Sequence, residues 1–455
     1  MGGADADGGG IRGGSARTGL KFSIRTYGCQ MNVRDSEAAA ALLKAAGHVQ
    51  VADEADAELV LVNSCTVRDM AERKAIGKSG NLTAEGKLVG LMGCAVKRMG
   101  EDVFRKVKGL AFAVSPRRIG LIPRILAEGC FPRLEIDDGD EIPTGLDAHD
   151  ATGFKAYSTI LVGCDNRCSY CIVPDVRGHE YSRPAAEVVA EVRALARAGV
   201  KEVCLLGQSV LRYGRRNAAF PDDGDGVWRE PFPRLLAALG EVEGLKRIRF
   251  TSAHPKGCTD ELVRAFREIP QVCRHLHLPV QSGSDRMLAE MGRRYTRAEY
   301  LAAVRKLRAF DPEFAVTTDV IVGYPGETEA DFEQTRSLMD EADFDNAFVF
   351  KYSPRPGTRS AALPDDVPTQ EKERRNQVLL EDQERRGLQR NLRLVGTVRE
   401  VLAEGPSARN AARWSGRDGG NRIVAFAPPP GIAPGDLVSI RVTEAHPQIL
   451  IGLAL

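Results

Sequence analysis

The chain is organised around Gly163-Cys164-Asp165-Asn166-Arg167-Cys168-Ser169-Tyr170-Cys171, which places three cysteines in the spacing C-x3-C-x2-C. A segment this short cannot pair its own cysteines in several ways without strain, but its sulfur atoms can surround one inorganic centre. Three thiolates leave one position of a four-coordinate site open, and catalytic metal sites keep such a position. A structural zinc ion with a fourth ligand from elsewhere is the alternative, and spacing alone leaves both possibilities open.

Strand-like and helical patterns alternate on both sides of this loop, from about residue 150 to 385. Six such units predict an open relative of the eight-stranded β/α barrel, in which functional groups collect where the strands end. The expected strands are Ser158–Val162, Glu202–Leu206, Arg247–Thr251, His275–Pro279, Ala315–Val322 and Ala347–Tyr352. Polar or glycine-rich residues follow several of them, which suits a bound ligand as well as a simple turn.

Residues 20–145 repeat a strand, loop and helix three times, which predicts an α/β domain built on a parallel sheet. The expected strands are Lys21–Tyr27, Glu58–Val62 and Leu88–Met92, and the expected helices are Ser36–Ala46, Asp69–Lys78 and Val96–Val107. The acidic stretch Cys130–Asp150, rich in proline and glycine, is interpreted as a linker. In each repeat a cysteine follows the strand within two or three residues: Cys29, Cys65 and Cys94. Because the carboxyl ends of parallel strands share one edge, we expect these cysteines to converge on one point and form a second three-thiolate site. The alternative is three unrelated small apolar residues, and the repeated placement argues against it.

The pattern changes after a long polar helix predicted at Thr369–Arg393. About five short strands in residues 386–455 predict a small β-barrel. From Arg385 onward there are ten arginines and no lysines against five acidic residues. A basic β-barrel is typical of an RNA-binding module, although an ordinary solvated surface would look similar. Arg417 and Arg422 flank the turn Asp418-Gly419-Gly420, so we expect both to project from an exposed tip and contact RNA.

The 455 residues are 43% hydrophobic, with a formal charge of +1. This composition predicts a globular protein of several domains, in which any nucleic-acid surface is local. Ten cysteines are too few for a disulfide scaffold and indicate metal ligands in a reducing compartment, so we expect a cytoplasmic protein. Residues 1–19 predict a disordered tail rather than a signal peptide, and no apolar run is long enough to predict a membrane span.

The central loop resembles the radical S-adenosylmethionine (SAM) superfamily, in which C-x3-C-x2-C with an aromatic residue before the last cysteine holds a [4Fe-4S] cluster. Tyr170 occupies that aromatic position. The resemblance implies that Cys164, Cys168 and Cys171 ligate three irons and that the fourth iron binds SAM. Reduction of SAM then gives methionine and a 5′-deoxyadenosyl radical, which abstracts hydrogen from an unreactive carbon.

From about residue 20 to 455 the chain also resembles the MiaB-type methylthiotransferases. The matching motifs are Tyr27-Gly28-Cys29-Gln30-Met31-Asn32, Asn63-Ser64-Cys65-Thr66-Val67-Arg68, Gly93-Cys94, Arg177-Gly178, Leu278-Pro279-Val280-Gln281-Ser282-Gly283-Ser284-Asp285 and Arg294-Tyr295-Thr296. Glu404-Gly405-Pro406-Ser407, Ser415-Gly416-Arg417 and Asn421-Arg422 resemble the TRAM domain of tRNA-modifying enzymes. By this resemblance Cys29, Cys65 and Cys94 hold a second [4Fe-4S] cluster, and the residues near SAM are Tyr170, Gln208, Ser282 and Gly323.

Three residues depart from the family pattern. Ser209 and Leu211 interrupt its Gly-Gln-Asn-Val-Asn run, and Asp175 replaces a commoner aromatic residue. The details of substrate contact are therefore left open, whereas the two cysteine triads match fully.

The resemblance implies a tRNA methylthiotransferase that modifies carbon 2 of N(6)-dimethylallyladenosine at position 37 of tRNA, using two [4Fe-4S] clusters and two SAM. The expected partners are tRNA, an electron donor such as flavodoxin or ferredoxin, and iron–sulfur assembly proteins. We expect a monomer that does not bind membranes. The nearest alternative substrate is threonylcarbamoyladenosine in tRNA. Another alternative is an enzyme that modifies an aspartate of a ribosomal protein, but the arginine-rich last domain argues against this protein substrate. From another class, the chain could be a non-catalytic protein that binds zinc and RNA.

Overall fold

The computed structural model describes residues 19–137, 139–149, 153–222, 226–407 and 410–455, with only the backbone of Ala411. The predicted tail lies outside these ranges, apart from Gly19. The chain divides into two compact units, Met1–Asp150 with Val173–His179, and Ala151–Ile172 with Glu180–Leu455. Among the described residues, no helix combines the length and the apolar character needed to cross a lipid bilayer.

The first unit is a parallel sheet in the order β2-β1-β3-β4-β5-β6. Its strands are β1 (Lys21–Tyr27), β2 (Val49–Gln50), β3 (Leu59–Ser64), β4 (Leu88–Met92), β5 (Phe112–Val114) and β6 (Arg133–Glu135). Its helices are α1 (Gln30–Ala45), α2 (Asp69–Ala84), α3 (Cys94–Met99), α4 (Asp102–Lys106), α5 (Ile122–Glu128) and α6 (Val173–Arg177). This confirms the predicted parallel sheet.

Helices cover both faces of this sheet, as the continuous apolar runs of its strands require. Leu59 and Leu61 of β3 pack into one hydrophobic cluster with residues of α1 and α5. Val60 and Val62, which alternate with them, pack into a second cluster with residues of α2 and α3. Both clusters therefore hold the strand ends in place.

Three local details differ from the sequence expectation. Helix α1 begins at Gln30 rather than near Ser36, because Cys29 and Asn32 form a capping box at its N-terminus. The single helix expected at Val96–Val107 is two short helices, with Gly100 in the left-handed region at φ 59° between them. The stretch Cys130–Asp150, interpreted as a linker, contributes strand β6.

The second unit contains the predicted partial barrel. Two three-stranded parallel sheets, β11-β10-β7 and β12-β13-β14, are joined where the Cys273 amide donates to the Ile248 carbonyl at 3.0 Å. The strands of these sheets are β7 (Lys155–Thr159), β10 (Glu202–Leu206), β11 (Arg247–Phe250), β12 (His275–His277), β13 (Ala315–Val322) and β14 (Asn346–Lys351). Strands β8 (Leu161–Val162) and β9 (Tyr181–Ser182) form a separate antiparallel pair. The helices are α7 (Ala185–Arg197), α8 (Pro231–Gly240), α9 (Asp260–Glu268), α10 (Asp285–Glu290), α11 (Arg297–Phe310), α12 (Glu329–Ala342) and α13 (Thr369–Leu392).

The last strands of this unit form the predicted small β-barrel, closed in the order β15-β16-β17-β19-β18. They are β15 (Val398–Ser407), β16 (Asn410–Asp418), β17 (Ile423–Phe426), β18 (Leu437–Ala445) and β19 (Ile449–Ala454). This barrel contacts the first residues of the partial-barrel strands. Arg247 at the start of β11 donates to the carbonyl oxygens of Arg417 (2.6 Å) and Glu400 (2.8 Å). The small barrel thus lies at the N-terminal ends of the strands, and the cysteine loop lies near their C-terminal ends.

Candidate metal centres

The cysteines of the first unit follow three adjacent strands whose C-terminal ends are in register. Tyr27 of β1 pairs with Ser64 of β3, and Asn63 pairs with Met92 of β4. Cys29, Cys65 and Cys94 follow these ends within two residues. The thiols of Cys29 and Cys65 lie close enough for each to shift the pKa of the other, and Cys94 interacts electrostatically with both. The structure therefore brings the three predicted cysteines together.

Two buried asparagines fix the loops that carry Cys29 and Cys65. The Cys29 amide donates to Asn32 Oδ1 at 3.2 Å, and Asn32 Nδ2 donates to Asn63 Oδ1 at 3.0 Å. Asn63 Nδ2 in turn donates to the Asn32 carbonyl at 2.8 Å. Gly93, before Cys94, has φ 102°, and a Cβ at this position would lie 2.4 Å from Asn63 Oδ1. The residues around the thiols are thus packed too closely to allow the triad to rearrange easily.

A buried arginine completes this site. Arg177 Nε donates to Cys94 Sγ at 3.1 Å, and Arg177 Nη2 pairs with Asp35 Oδ2 at 2.7 Å, with both side chains almost fully buried. Burial raises the pKa of the Cys94 thiol, and the guanidinium partly opposes this effect. The pKa of Cys29 is lowered to about 5, mainly by the hydrogen bond from Cys65 and further by the charge of Arg177. A cation in contact with these sulfurs suits an anionic thiolate-bound cluster.

We expect Arg177→Gln to weaken retention of a cluster by the first triad, because it removes the buried cation that contacts Cys94. Loss of such an outer-shell partner typically lowers metal affinity by about 10–100-fold. Iron bound per chain should be measured after chelator challenge, in a protein whose Cys164, Cys168 and Cys171 are all alanine.

The matched control is Arg73→Gln, because Arg73 is a largely exposed residue of the same unit that pairs with Asp69 on the surface of α2. Equal iron retention in the two variants would contradict a role for Arg177 at this site.

The second triad lies on a loop fixed by several contacts within its own unit. Gly163, at φ 84°, donates its amide to the side-chain oxygen of Gln208. The Cys171 amide donates to the Cys168 carbonyl at 3.1 Å, so the last two cysteines share one turn. Between them, the Ser169 amide donates to the Met291 carbonyl at 3.0 Å. The loop is therefore held in place before any metal binds.

This second site also contains a buried arginine. Arg293 Nη1 donates to Cys168 Sγ at 3.4 Å, and Nη2 donates to the Pro279 carbonyl at 3.0 Å. Burial raises the pKa of the Cys164 thiol to about 11, which favours the neutral thiol until a metal displaces its proton. Tyr170 packs against Met287, Met291, Tyr324 and Tyr352 in a cluster that anchors the loop.

The chemistry of both donor sets fits the group that the resemblance implies. Each set offers three thiols, none of the ten cysteines forms a disulfide, and one sulfur in each set accepts a hydrogen bond from a buried arginine. In the described part of the chain, no three His, Cys, Asp or Glu side chains are placed to hold a single metal ion. A cubane cluster differs from an ion because each cysteine binds a separate iron atom.

The residues expected near SAM lie at or beyond strand ends, but they differ in how far other residues of the protein already contact them. Gln208 accepts from Gly163 and so contacts the cysteine loop. Ser282 is fully buried, and its hydroxyl faces Thr335 of α12 at 3.2 Å. Gly323 has φ 71°, and a Cβ there would lie 2.3 Å from Lys372 Cγ. Their contact with SAM remains a prediction.

The expected exposure of Arg422 is wrong. Its side chain is buried and pairs with Asp345, directly before β14, and with Asp418 in its own barrel. Arg417 is half-buried, donates to the Asn421 carbonyl at 3.0 Å and lies 3.5 Å from Glu404. Asp418 is fully buried and its carbonyl accepts from Arg249 Nη2 at 2.7 Å. The turn thus packs onto the strand starts instead of projecting into solvent.

Three family models match the chain. They describe the uncharacterized protein family UPF0004 over residues 21–115, the radical SAM superfamily over 158–339 and the TRAM domain over 392–455. Among solved structures, radical SAM methyltransferase TsrM from Kitasatospora setae, with tryptophan and a SAM analogue bound, has a TM-score of 0.56. It is 15% identical, and the alignment covers 75% of each chain. This similarity shows the fold alone.

Curated relatives extend the similarity to almost the whole chain. Three of them are named tRNA-2-methylthio-N(6)-dimethylallyladenosine synthase. The protein from Nocardia farcinica is 43% identical, over 95% of this chain and 88% of the relative. The one from Opitutus terrae is 41% identical, over 95% and 97% of the two chains, and the one from Geobacter metallireducens is 42% identical, over 94% and 97%.

Proposed function

This chain belongs to the family of the tRNA-2-methylthio-N(6)-dimethylallyladenosine synthases, and from this premise we propose that it methylthiolates carbon 2 of N(6)-dimethylallyladenosine at position 37 of tRNA. It is a radical SAM enzyme that transfers a sulfur-containing group and uses SAM and [4Fe-4S] clusters. The observation that carries the proposal is the presence of two three-cysteine sites, one in each unit, each with a buried arginine at one sulfur.

The two sites are suited to separate tasks. The C2–H bond of an adenine has no acid or nucleophile route at neutral pH, so its replacement by sulfur needs a radical. Cys164, Cys168 and Cys171 would hold one cluster, and Cys29, Cys65 and Cys94 the other. When bound, these groups supply the electron that cleaves SAM and the sulfur that is methylated and transferred.

The chain's own side chains hold and shield these sites. Ser169 fixes the loop because its backbone amide donates a hydrogen bond to the Met291 carbonyl and its hydroxyl is hydrogen-bonded to the Tyr324 hydroxyl at 2.9 Å. Arg293 and Arg177 each donate to one cysteine sulfur, which stabilises negative charge there. Buried donors in a water-poor site interact more strongly with such charge than exposed ones.

We further propose that the protein binds tRNA, an electron donor and iron–sulfur assembly proteins in the cytoplasm. The arginine-rich TRAM barrel supports tRNA as the bound nucleic acid. Cluster chemistry that begins with one electron needs a donor such as flavodoxin or ferredoxin, and loading needs iron–sulfur assembly proteins. Ten cysteines without a disulfide suit the cytoplasm, and we propose a monomer there.

Mass spectrometry of tRNA nucleosides from cells with and without the gene tests this function. Loss of 2-methylthio-N(6)-dimethylallyladenosine, with accumulation of its unthiolated precursor, is the expected result. Loss of the 2-methylthio form of threonylcarbamoyladenosine would instead support the alternative substrate. An unchanged nucleoside profile would contradict methylthiolation of tRNA.

Anaerobically reconstituted protein should be brown and contain about eight iron and eight sulfide ions per chain, because each triad can hold one cubane cluster. Removing all three cysteines of either triad should halve both numbers. Elemental analysis with a sulfide assay checks this, and stoichiometric zinc without sulfide would favour the zinc-binding alternative.

A further inference from the structure

The concave face of the partial barrel carries two exposed phenylalanines on its last strand. Ala347 and Val349 of β14 pack into the core between the sheet and the helices. Because side chains alternate along a strand, Phe348 and Phe350 point to the opposite face. They are 50% and 46% exposed, although phenylalanine is usually buried. Two adjacent exposed aromatic rings form a surface on which a planar group can stack.

This surface continues toward the cysteine loop. Phe350 is paired in register with Ile321 of β13, so the two side chains lie on the same face. Ile321 packs against the cluster of Met287, Met291, Tyr324 and Tyr352, which also contacts Tyr170 between the second and third loop cysteines. The apolar surface therefore reaches the site at which the family's radical chemistry begins.

Polar groups border the same surface on its other side. The His277 ring meets the edge of Phe348 with 5.9 Å between ring centroids, and His277 Nε2 lies 3.3 Å from Asp319 Oδ1. His277 Nδ1 is 2.9 Å from Thr317 Oγ1, which fixes the ring. Phe348 is in register with Asp319, so this carboxylate lies beside the aromatic pair. The surface thus combines an apolar area with one acidic hydrogen-bond acceptor.

We propose that Phe348, Phe350 and Ile321 receive the prenylated adenine of the tRNA, with the base stacked on the phenylalanines and the prenyl group in contact with this apolar surface. The inference rests on the proposed function and specifies its substrate site. An adenine inside a folded RNA must leave its stack before an enzyme can reach carbon 2, and aromatic side chains commonly receive such bases. Asp319 supplies an acceptor for the N–H that an N(6)-alkylated adenine retains.

The same surface discriminates against the alternative substrate. A threonylcarbamoyl group carries a carboxylate, which would need a cation, whereas Asp319 is an anion at the edge of the surface. The cation that follows Phe350, Lys351, is paired with Glu373 of α13 at 3.0 Å. An apolar dimethylallyl group has no such requirement and gains free energy by covering the exposed rings.

The test is a double-mutant cycle between the protein and the RNA. Affinity of the reconstituted protein should be measured for anticodon stem–loops that carry adenosine or N(6)-dimethylallyladenosine at the target position. Phe348→Ala and Phe350→Ala should each weaken binding of the prenylated RNA about tenfold, as expected for loss of a stacked base. The preference for prenylated over unprenylated RNA should fall about fivefold, because the prenyl contact is lost as well.

Two further variants separate this role from a structural one. Phe348→Tyr keeps the aromatic face and should retain affinity and preference. Leu380→Ala, which truncates an exposed apolar residue of α13, should change neither. Folded phenylalanine variants with unchanged affinity and unchanged prenyl preference would overturn the inference, while tRNA methylthiolation by the wild type would still stand. A wild type that bound no tRNA would instead overturn the proposed function.

Discussion

Replacing Cys168 with alanine should abolish reductive cleavage of SAM, whereas replacing Cys65 with alanine should leave cleavage intact and stop methylthio transfer. Cys168 belongs to the three-cysteine loop of the second unit and accepts a hydrogen bond from Arg293. Cys65 directly follows strand β3 of the first unit and belongs to the other triad. Each substitution leaves its own site with two ligands, too few to hold a cubane cluster, and leaves the other site whole.

Both outcomes are read from the same anaerobic reaction. Liquid chromatography measures 5′-deoxyadenosine, and nucleoside mass spectrometry measures the methylthio product. Cys130→Ala is the matched control, because Cys130 is an exposed cysteine outside both triads and its loss should change neither reading. If a folded Cys65→Ala protein also lost all SAM cleavage, the assignment of separate roles to the two triads would be wrong.

Arg422→Glu should destabilise the second unit by about 3–5 kcal/mol, the usual cost of breaking a buried ion pair by removing one partner. Arg422 lies between Asp345 and Asp418, and both carboxylates are nearly inaccessible to water. Glutamate would place a third negative charge beside them without a compensating cation. The free energy of unfolding, from urea titration of the wild type and the variant, measures the effect.

Arg441→Glu is the control in the same small barrel. Arg441 is exposed on β18 and makes no ion pair with any residue that the structure describes, so its reversal should change stability by less than about 0.5 kcal/mol. Equal stabilities for the two variants would contradict the structural role of Arg422. The half-buried Arg417 and the exposed Arg441 are therefore the residues at which RNA contact is better tested, through the salt dependence of tRNA affinity.

Local sequence patterns were sufficient to predict most strands. Lys21–Tyr27, Leu88–Met92, Glu202–Leu206 and Ala315–Val322 have the bounds expected from their apolar residues. Those apolar residues pack against helices on one or both sides of the sheet. The local sequence of each strand therefore contains the hydrophobic pattern that predicts it. The start of α1 was missed because its cap is a cysteine, which is outside the usual set of capping residues.

Contacts between distant parts of the chain could not be predicted in this way. Arg177 and Cys94 are 83 residues apart, and Arg293 and Cys168 are 125 apart, so neither donor was identified by spacing. Arg177 belongs to the family motif Arg177-Gly178, and Arg293 directly precedes the motif Arg294-Tyr295-Thr296. Neither motif, however, indicates that its arginine contacts a cysteine. Arg422 was placed on an exposed turn because turn residues predict exposure, whereas Asp345 holds that turn against the partial barrel.

The most direct test of the account is a single reconstituted reaction. Protein with both clusters is incubated anaerobically with a reductant, SAM carrying a trideuterated methyl group, and tRNA that contains N(6)-dimethylallyladenosine. Digested nucleosides are then analysed by mass spectrometry. The expected product is 2-methylthio-N(6)-dimethylallyladenosine with a trideuterated methyl group, formed together with 5′-deoxyadenosine and absent from reactions of Cys168→Ala or Cys65→Ala. Formation of 5′-deoxyadenosine without this nucleoside, while tRNA containing threonylcarbamoyladenosine is methylthiolated under the same conditions, would contradict it.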